Sequence, residues 1–339
     1  MNIVCFYEKE WEREYLEQKL KDFKISFFKG TISDHPDIQD NKADILCIFT
    51  DSCISKSELK HFKNVKLITT RSTGFCHIDL ENTDKKKIIV CNVPSYGRNT
   101  VAEYTFGLIL SLSRKICKSY AQIQEDCLSR ENLQGFDLKD KIIGIVGTGS
   151  IGGFVARIAY GFGMKIIATD LKPNTNLENA FNVCYVPLED LIASSDIITL
   201  HVPYNKNTHH MINMKNIDKI KKGTYLINTS RGGIIETQAL VKALQDGIIA
   251  GAGLDVLEEE NKLKESYESK LIIEPKASLH DIKLTLANHY LIDHPNVIIT
   301  PHNAFNSKEA IKQILDTTIQ NIINFKTGRP RNICTLAKK

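Results

Sequence analysis

KIIGIVGTGSIGGFVARIAYGFGMKIIATD, residues 141–170, decides how the rest of the chain is read. Ile142 to Val146 form an apolar run of strand length, and Gly147, Gly149 and Gly152 then set out G-x-G-x-x-G. A helical stretch with Ser150 and Ile151 in its first turn follows, and Asp170 stands at the tip of the next apolar run. Each part has a mechanical reason. The first glycine makes the tight turn, the second lets the backbone approach a pyrophosphate, and the third lets the helix pack closely on the strand with its N-terminal amides toward the phosphates. Asp170 comes 18 residues after Gly152 (170 − 152 = 18), where a carboxylate can accept hydrogen bonds from an adenosine ribose. A tightly packed glycine turn would account for the glycines alone. It would not account for strand, helix and acid in register, so the segment reads as a dinucleotide site.

Outward from that segment, short apolar runs alternate with helical patterns, the signature of parallel βαβ units. Strands are expected at 2–7, 25–28, 45–49, 67–70 and 88–91 before the glycine loop, and at 197–201, 225–229, 249–255 and 297–300 after it. A long helix is expected from Val101 to about Gln124, with Thr100 as its N-cap and Glu103 completing a capping box. The last segment carries Ala310, Ile311, Ile314, Leu315, Thr318, Ile322 and Ile323 on one helical stripe, with Gly328 as a stop. Since the nucleotide sheet is complete by Thr300, this helix is expected to return to the N-terminal domain. The fold class is therefore α/β with two doubly wound parallel sheets: a discontinuous, flavodoxin-like substrate domain at 1–99 and 300–339, and an inserted Rossmann domain at 100–299. A cleft between two such domains is the natural ligand site.

Composition narrows the function classes. The chain has 339 residues and 42% hydrophobic content, enough for two cores. A formal charge of +4, from 44 basic and 40 acidic residues, is too small and dispersed to predict nucleic-acid or membrane binding, and Lys85 to Lys87 reads as a solvated loop. Nine cysteines without a C-x-x-C pair make neither a disulfide framework nor a zinc site, and no metal is expected. The N-terminus is a strand followed by charges rather than a signal peptide, and no apolar run is long enough to span a bilayer, so a cytoplasmic address is expected.

Three stretches could carry chemistry. INTSRGG, residues 227–233, ends a strand with Arg231 in a loop at the carboxyl edge of the sheet, where α/β ligands bind. A guanidinium there suits a carboxylate or a polarised carbonyl, although a surface ion pair is the commoner use of such an arginine. GAGLDVLEEE, residues 251–260, ends another strand in an acid cluster, which composition alone reads as a solvated turn. ITPHNAF, residues 299–305, places His302 directly after a strand and a proline; a histidine in a cleft exchanges protons near neutral pH, though a lone histidine is more often structural.

The ordered set VPSYGRNTVAEY (93–104), GTGSIGG (147–153), HVPYNKNT (201–208), NTSRGG (228–233), GAGLDVLEEE and TPHNAF resembles the NAD-dependent D-2-hydroxyacid dehydrogenases across roughly residues 65–325. The resemblance implies NAD as cofactor and a catalytic set of Arg231, Glu260 and His302. Arg231 would bind the substrate carboxylate and polarise the carbonyl, His302 would give a proton to the carbonyl oxygen, and Glu260 would orient the imidazole and hold it protonated. It also implies cofactor contacts at His201, Val202, Pro203, Thr208, Thr229 and Ser230, and places Asp255 near the nicotinamide. RSTGFCHIDL (71–80) is similar to the family loop whose backbone amides, here Ser72, Thr73, Gly74 and Phe75, hold the substrate carboxylate. The family position that is often aspartate in that loop is Cys76. Tyr96 and Phe305 match aromatic positions of fermentative D-lactate dehydrogenases, where a small apolar pocket takes the methyl group of pyruvate; packing is their plain alternative. His209 and His210 receive no role.

One departure stands out. Family members often have proline after the catalytic glutamate and a short loop to the next strand, whereas Asn261 follows Glu260 and 35 residues, 261–295, separate it from NVIIT. The apolar run Leu284 to Leu291 within this insert is expected to be helical, its purpose being a lid, a dimer contact or surface elaboration. The choice of Glu260 over Glu258 or Glu259 rests on the spacing from Asp255. The expected activity is hydride transfer between NADH and a small 2-oxo acid, pyruvate to D-lactate in the first instance, by a homodimer. Other 2-oxo acids (hydroxypyruvate, glyoxylate, branched) are alternatives within the class. A non-catalytic NAD-sensing protein on the same scaffold is the alternative outside it. Formate and phosphite dehydrogenases share the glycine loop but handle other substrates.

Overall fold

The central strands form where β-branched runs occur, and they are buried on both faces. Ile45–Ile48, Leu67–Thr70 and Ile197–Leu200 have no exposed residue, as expected of strands covered on each side by helices. The computed structural model describes residues 1–260 and 278–335. The described residues divide into two units, one made of residues 1–97 and 307–335, the other of residues 98–260 and 278–306.

In the first unit, β1 (Asn2–Tyr7), β2 (Lys24–Lys29), β3 (Ile45–Ile48), β4 (Leu67–Thr70) and β5 (Ile89–Cys91) pair in parallel in the order β2-β1-β3-β4-β5, the flavodoxin-like arrangement. The helix Lys308–Lys326 returns to this sheet: Ile311, Leu315, Ile319 and Ile322 pack with Ile3, Cys5, Ile45 and Leu67. The helix ends where expected, with Gly328 just beyond it in the left-handed region at φ 72.

The second unit holds seven parallel strands. These are β6 (Ile142–Val146), β7 (Lys165–Thr169), β8 (Cys184–Tyr185), β9 (Ile197–Leu200), β10 (Thr224–Asn228), β11 (Ile249–Leu254) and β12 (Val297–Ile299). Their order, β12-β11-β10-β9-β6-β7-β8, reverses direction between β6 and β9, so the glycine loop after β6 opens at the switch point where a Rossmann sheet binds its ligand. β8, only two residues long, has no legible pattern in the sequence. Residues 300–306 belong to this unit because the backbone N–H groups of His302, Asn303 and Ala304 all bond to Asp255, just past β11.

The helix expected over 101–124 is two helices, Arg98–Ser113 and Ile116–Gln124, separated by Lys115 in the left-handed region at φ 54. Its start is also earlier than expected, which puts Thr100 inside the helix rather than at its cap; Glu103 bonds Asn99 instead. The first helix packs Ala102, Phe106, Ile109 and Leu112 against Ile143, Ile145 and Ile227. The second buries no residue. The helix expected within the insert spans Leu279–Asp293 and docks Leu291 on the core beside Leu240 and Leu244, whereas residues 261–277 of the insert lie outside the described residues.

Candidate active site

The glycine loop fits a dinucleotide on its own geometry. Gly147 has φ 91, and a Cβ there would lie 2.8 Å from the carbonyl oxygen of His201. A Cβ on Gly152 would lie 1.9 Å from the carbonyl oxygen of Gly147, so only glycine lets the helix Ser150–Gly161 sit this close to β6. Gly149 is different: a Cβ would meet nothing within 4 Å. Its bareness answers no demand of the protein and leaves open the space a pyrophosphate would need. Asp170 is held in place by its neighbours. Oδ2 accepts from the amide and hydroxyl of Thr148 at 2.7 and 3.1 Å, and Oδ1 accepts from the amide of Lys172 at 2.9 Å. Burial works against its charge, but these bonds keep its carboxyl below the usual range. Tyr185, which the sequence reading missed for want of any motif, donates to Thr148 Oγ1 at 2.8 Å.

Around the loop, His201 bonds through Nε2 to Thr199 Oγ1 at 2.9 Å, and its buried Nδ1 has no partner among the described residues. Burial pushes this imidazole down to about 3, so it is neutral at physiological pH. Thr208 Oγ1 closes its own turn on the carbonyl of Pro203 at 2.6 Å, with Val202 packed on the neighbouring core. Thr229 and Ser230 lie past β10, the former bonding Thr105 at 3.0 Å and the latter donating to Leu200 O at 2.6 Å.

Three strand ends of the same sheet carry the acid–base groups. His302 Nδ1 lies 2.8 Å from Glu260 Oε1, with the side chains 41% and 38% exposed, while Nε2 has no partner among the described residues. The carboxylate therefore fixes the tautomer and leaves the other ring nitrogen free for a ligand. Phe305 stands edge-on to this ring at 6.5 Å. Arg231, past β10, is exposed; its guanidinium donates to Ser230 O at 2.7 Å and forms no ion pair among the described residues, which leaves donors for an anion. The register from Asp255 thus picks out the glutamate that meets His302. Glu258 faces elsewhere, with its Oε1 2.5 Å from His210 Nε2.

Asp255, which the resemblance puts near the nicotinamide, is a buried carboxylate. It is 1% exposed, and its carboxylate accepts from Thr300 Oγ1 at 2.5 Å and from the amides of Asn303 and Ala304 at 2.8 Å each. Desolvation raises its pKa despite these bonds. Its oxygens are committed to the segment that carries His302, which itself sits in the left-handed region at φ 51.

In the first unit, the loop after β4 is pinned by its side chains. Ser72 Oγ donates to Gly74 O at 2.6 Å, Thr73 Oγ1 to Val93 O at 2.8 Å, and Asn92 Nδ2 to Thr73 O at 2.8 Å. The backbone N–H groups of Thr73, Gly74 and Phe75 have no acceptor among the described residues, an arrangement that suits an anion. Arg71, which precedes the loop, is buried at 4% exposure and paired with Glu12 at 2.8 Å. Cys76 is exposed, and Tyr96, in the segment that follows β5 in the chain, is half-buried.

A glycine loop at a Rossmann switch point, an aspartate at the tip of the next strand and a histidine–glutamate pair define the class: an NAD-dependent oxidoreductase. Residues 106–304 match the family described as D-isomer specific 2-hydroxyacid dehydrogenase, NAD binding domain. The chain is 36% identical over 330 residues to 2-hydroxyacid dehydrogenase homolog 1 of Schizosaccharomyces pombe, covering 96% of each. Among solved structures it is similar to the one reported for the pyruvate reductase of Chlamydomonas reinhardtii, at TM-score 0.86 and 35% identity, covering 97% of both chains. It is similar also to D-lactate dehydrogenase from Aquifex aeolicus complexed with NAD and lactic acid, at TM-score 0.79 and 34% identity over 97% of this chain and 96% of that one. This chain belongs to the D-isomer-specific 2-hydroxyacid dehydrogenases.

Proposed function

We propose that the protein reduces pyruvate to D-lactate with NADH. The observation that carries the reading is the pair His302 Nδ1 and Glu260 Oε1 at 2.8 Å, which among the described residues leaves Nε2 unpartnered on the same unit as an arginine without a carboxylate partner. In this reading Arg231 and the free amides of Thr73 to Phe75 bind the substrate carboxylate. Bound NADH supplies the hydride. His302 Nε2 gives its proton to the carbonyl oxygen as the carbonyl carbon is reduced, and Glu260 stabilises the imidazolium and keeps the ring turned toward the substrate. In the oxidative direction the neutral ring takes the same proton back. Tyr96 and Phe305 are assigned to the methyl group of the substrate, and the lactate-bound relative supports pyruvate over larger 2-oxo acids.

A non-catalytic NAD sensor has no use for the histidine–glutamate pair, which favours the enzyme. The test is a spectrophotometric NADH assay over pyruvate, hydroxypyruvate, glyoxylate and branched 2-oxo acids, on the wild type and on Arg231→Lys. Pyruvate should give the highest kcat/KM. The lysine keeps the charge but loses the planar fork, which should cost on the order of 3 kcal/mol, about a hundredfold in kcat/KM. A hydroxypyruvate or branched-acid optimum would reassign the substrate, and a lysine variant with normal activity would remove Arg231 from the site. The homodimer belongs to the same reading. The helix Ile116–Gln124 and the turn after it expose Ile116 at 51%, Tyr120 at 67%, Ile123 at 50% and Leu128 at 85%, an apolar stripe that a second copy would cover. The nine unpaired cysteines accord with a cytoplasmic address.

A further inference from the structure

His210 links the two segments that carry Arg231 and Glu260. Its backbone N–H donates to Gly233 O at 2.9 Å, two residues after the arginine, and its ring Nε2 meets Glu258 Oε1 at 2.5 Å, two residues before the glutamate. Glu258 is in turn gripped by two other elements. Its Oε2 accepts from Thr237 Oγ1 at 2.8 Å, at the start of the helix Thr237–Gln245, and its carbonyl accepts from Asn288 Nδ2 at 3.1 Å, on the insert helix Leu279–Asp293. The loop and the turn touch directly as well: a Cβ on Gly232 would lie 2.0 Å from the carbonyl carbon of Leu257 and 2.3 Å from the amide nitrogen of Glu258. His209 stacks on the His210 ring at 3.8 Å, and Tyr204 bonds His209 at 3.0 Å, so the imidazole is backed by a second ring that is itself tethered.

This bracing stands where the backbone is under strain. His210 and Glu259 adopt φ 48 and φ 52, the left-handed region, which non-glycine residues hold only where the surroundings impose it. Glu260 has little else to fix it among the described residues: apart from His302, its carboxylate receives one long bond, from the Leu257 amide at 3.5 Å.

We propose that His210, acting through Glu258, is a positioning residue for the reaction: it clamps the turn bearing Glu260 to the loop bearing Arg231. The inference rests on the catalytic reading of Glu260 given above. A double-mutant cycle tests it, with His210→Ala, Glu260→Gln and the double variant measured for kcat and KM toward pyruvate, NADH affinity and thermal midpoint. His210→Ala should lower kcat by about tenfold, the size of one charge-assisted hydrogen bond, with NADH affinity within about twofold of the wild type. On the Glu260→Gln background the same substitution should cost less than about twofold, because the partner through which it acts is already disabled. His210→Gln, whose amide can still donate toward Glu258, should recover most of the kcat.

Additive losses would overturn the proposal while leaving Glu260 catalytic, and so would an unchanged kcat in His210→Ala or a loss that follows NADH affinity alone. A Glu260→Gln enzyme of normal kcat would overturn the catalytic reading and this inference together. Should His210→Ala fail to fold, the near-isosteric Glu258→Gln takes its place in the cycle, with the same non-additive result expected and additivity counting against the proposal.

Discussion

Gly149 and Gly152 separate what the glycine loop does for the protein from what it does for its cofactor. A Cβ on Gly152 would overlap the Gly147 carbonyl oxygen at 1.9 Å, so Gly152→Ala must push the helix away from β6. Such overpacking costs about 1–3 kcal/mol, roughly 2–10 °C in thermal midpoint for a chain of this size. A Cβ on Gly149 meets no protein atom within 4 Å, and its φ of −67 lies outside the left-handed region. Gly149→Ala should therefore leave the thermal midpoint within about 2 °C of the wild type. The methyl group would instead occupy the space reserved for the pyrophosphate and lengthen its bonds to the helix N-terminus. Losing one hydrogen bond to a charged group costs about 1.5–3 kcal/mol, so NADH affinity should fall on the order of ten- to a hundredfold. Titration of NADH by its fluorescence, alongside a melting curve of each variant, reads both quantities. An unchanged NADH affinity in Gly149→Ala would refute the assignment of this loop to the pyrophosphate, whatever Gly152→Ala does.

Three further predictions follow from the geometry of the same unit. Because the Asp170 carboxylate is fixed by Thr148 and Lys172 where it would repel a 2′-phosphate, NADH should be used about a hundredfold better than NADPH, and Asp170→Ala should close most of that gap; equal use by the wild type would remove the role. Asp255→Asn puts an amide donor against the amides of Asn303 or Ala304, which should cost about 1–3 kcal/mol and lower kcat by releasing the His302 segment, with NADH affinity kept; a selective loss of NADH affinity would instead place Asp255 at the nicotinamide. His201 is held at about 3 in the fold against about 6.5 in the unfolded chain, so the unfolded chain takes the proton first. Its contribution to stability is complete above about pH 6.5 and is lost as pH falls toward 3, by up to ~1.4 kcal/mol per pH unit, and His201→Gln should flatten that limb in urea unfolding series at several pH values.

The sequence by itself determined the two parallel sheets, the glycine loop at the switch point and the return of the C-terminal helix, because each leaves a periodic or positional mark in the chain. Apolar runs bounded by polar turns give the strands, and a 3.6-residue stripe gives the helix whose Ile311, Leu315 and Ile322 reach the first sheet. Family resemblance rather than periodicity singled out Glu260 among three adjacent glutamates, and its carboxylate lies 2.8 Å from His302 Nδ1. Tertiary structure alone decided the rest. The break at Lys115 is invisible to hydrophobic periodicity, because no glycine or proline lies between Leu108 and Gln124 to mark it. Nothing in LDV announces that the aspartate would be buried and committed to Thr300, Asn303 and Ala304, because those bonds span about 45 residues and depend on β11 and β12 lying side by side. The same holds for His210 and Glu258, 48 residues apart in the chain: local pattern records which residues are apolar, whereas a hydrogen bond between distant loops exists only once the sheet has set their ends together.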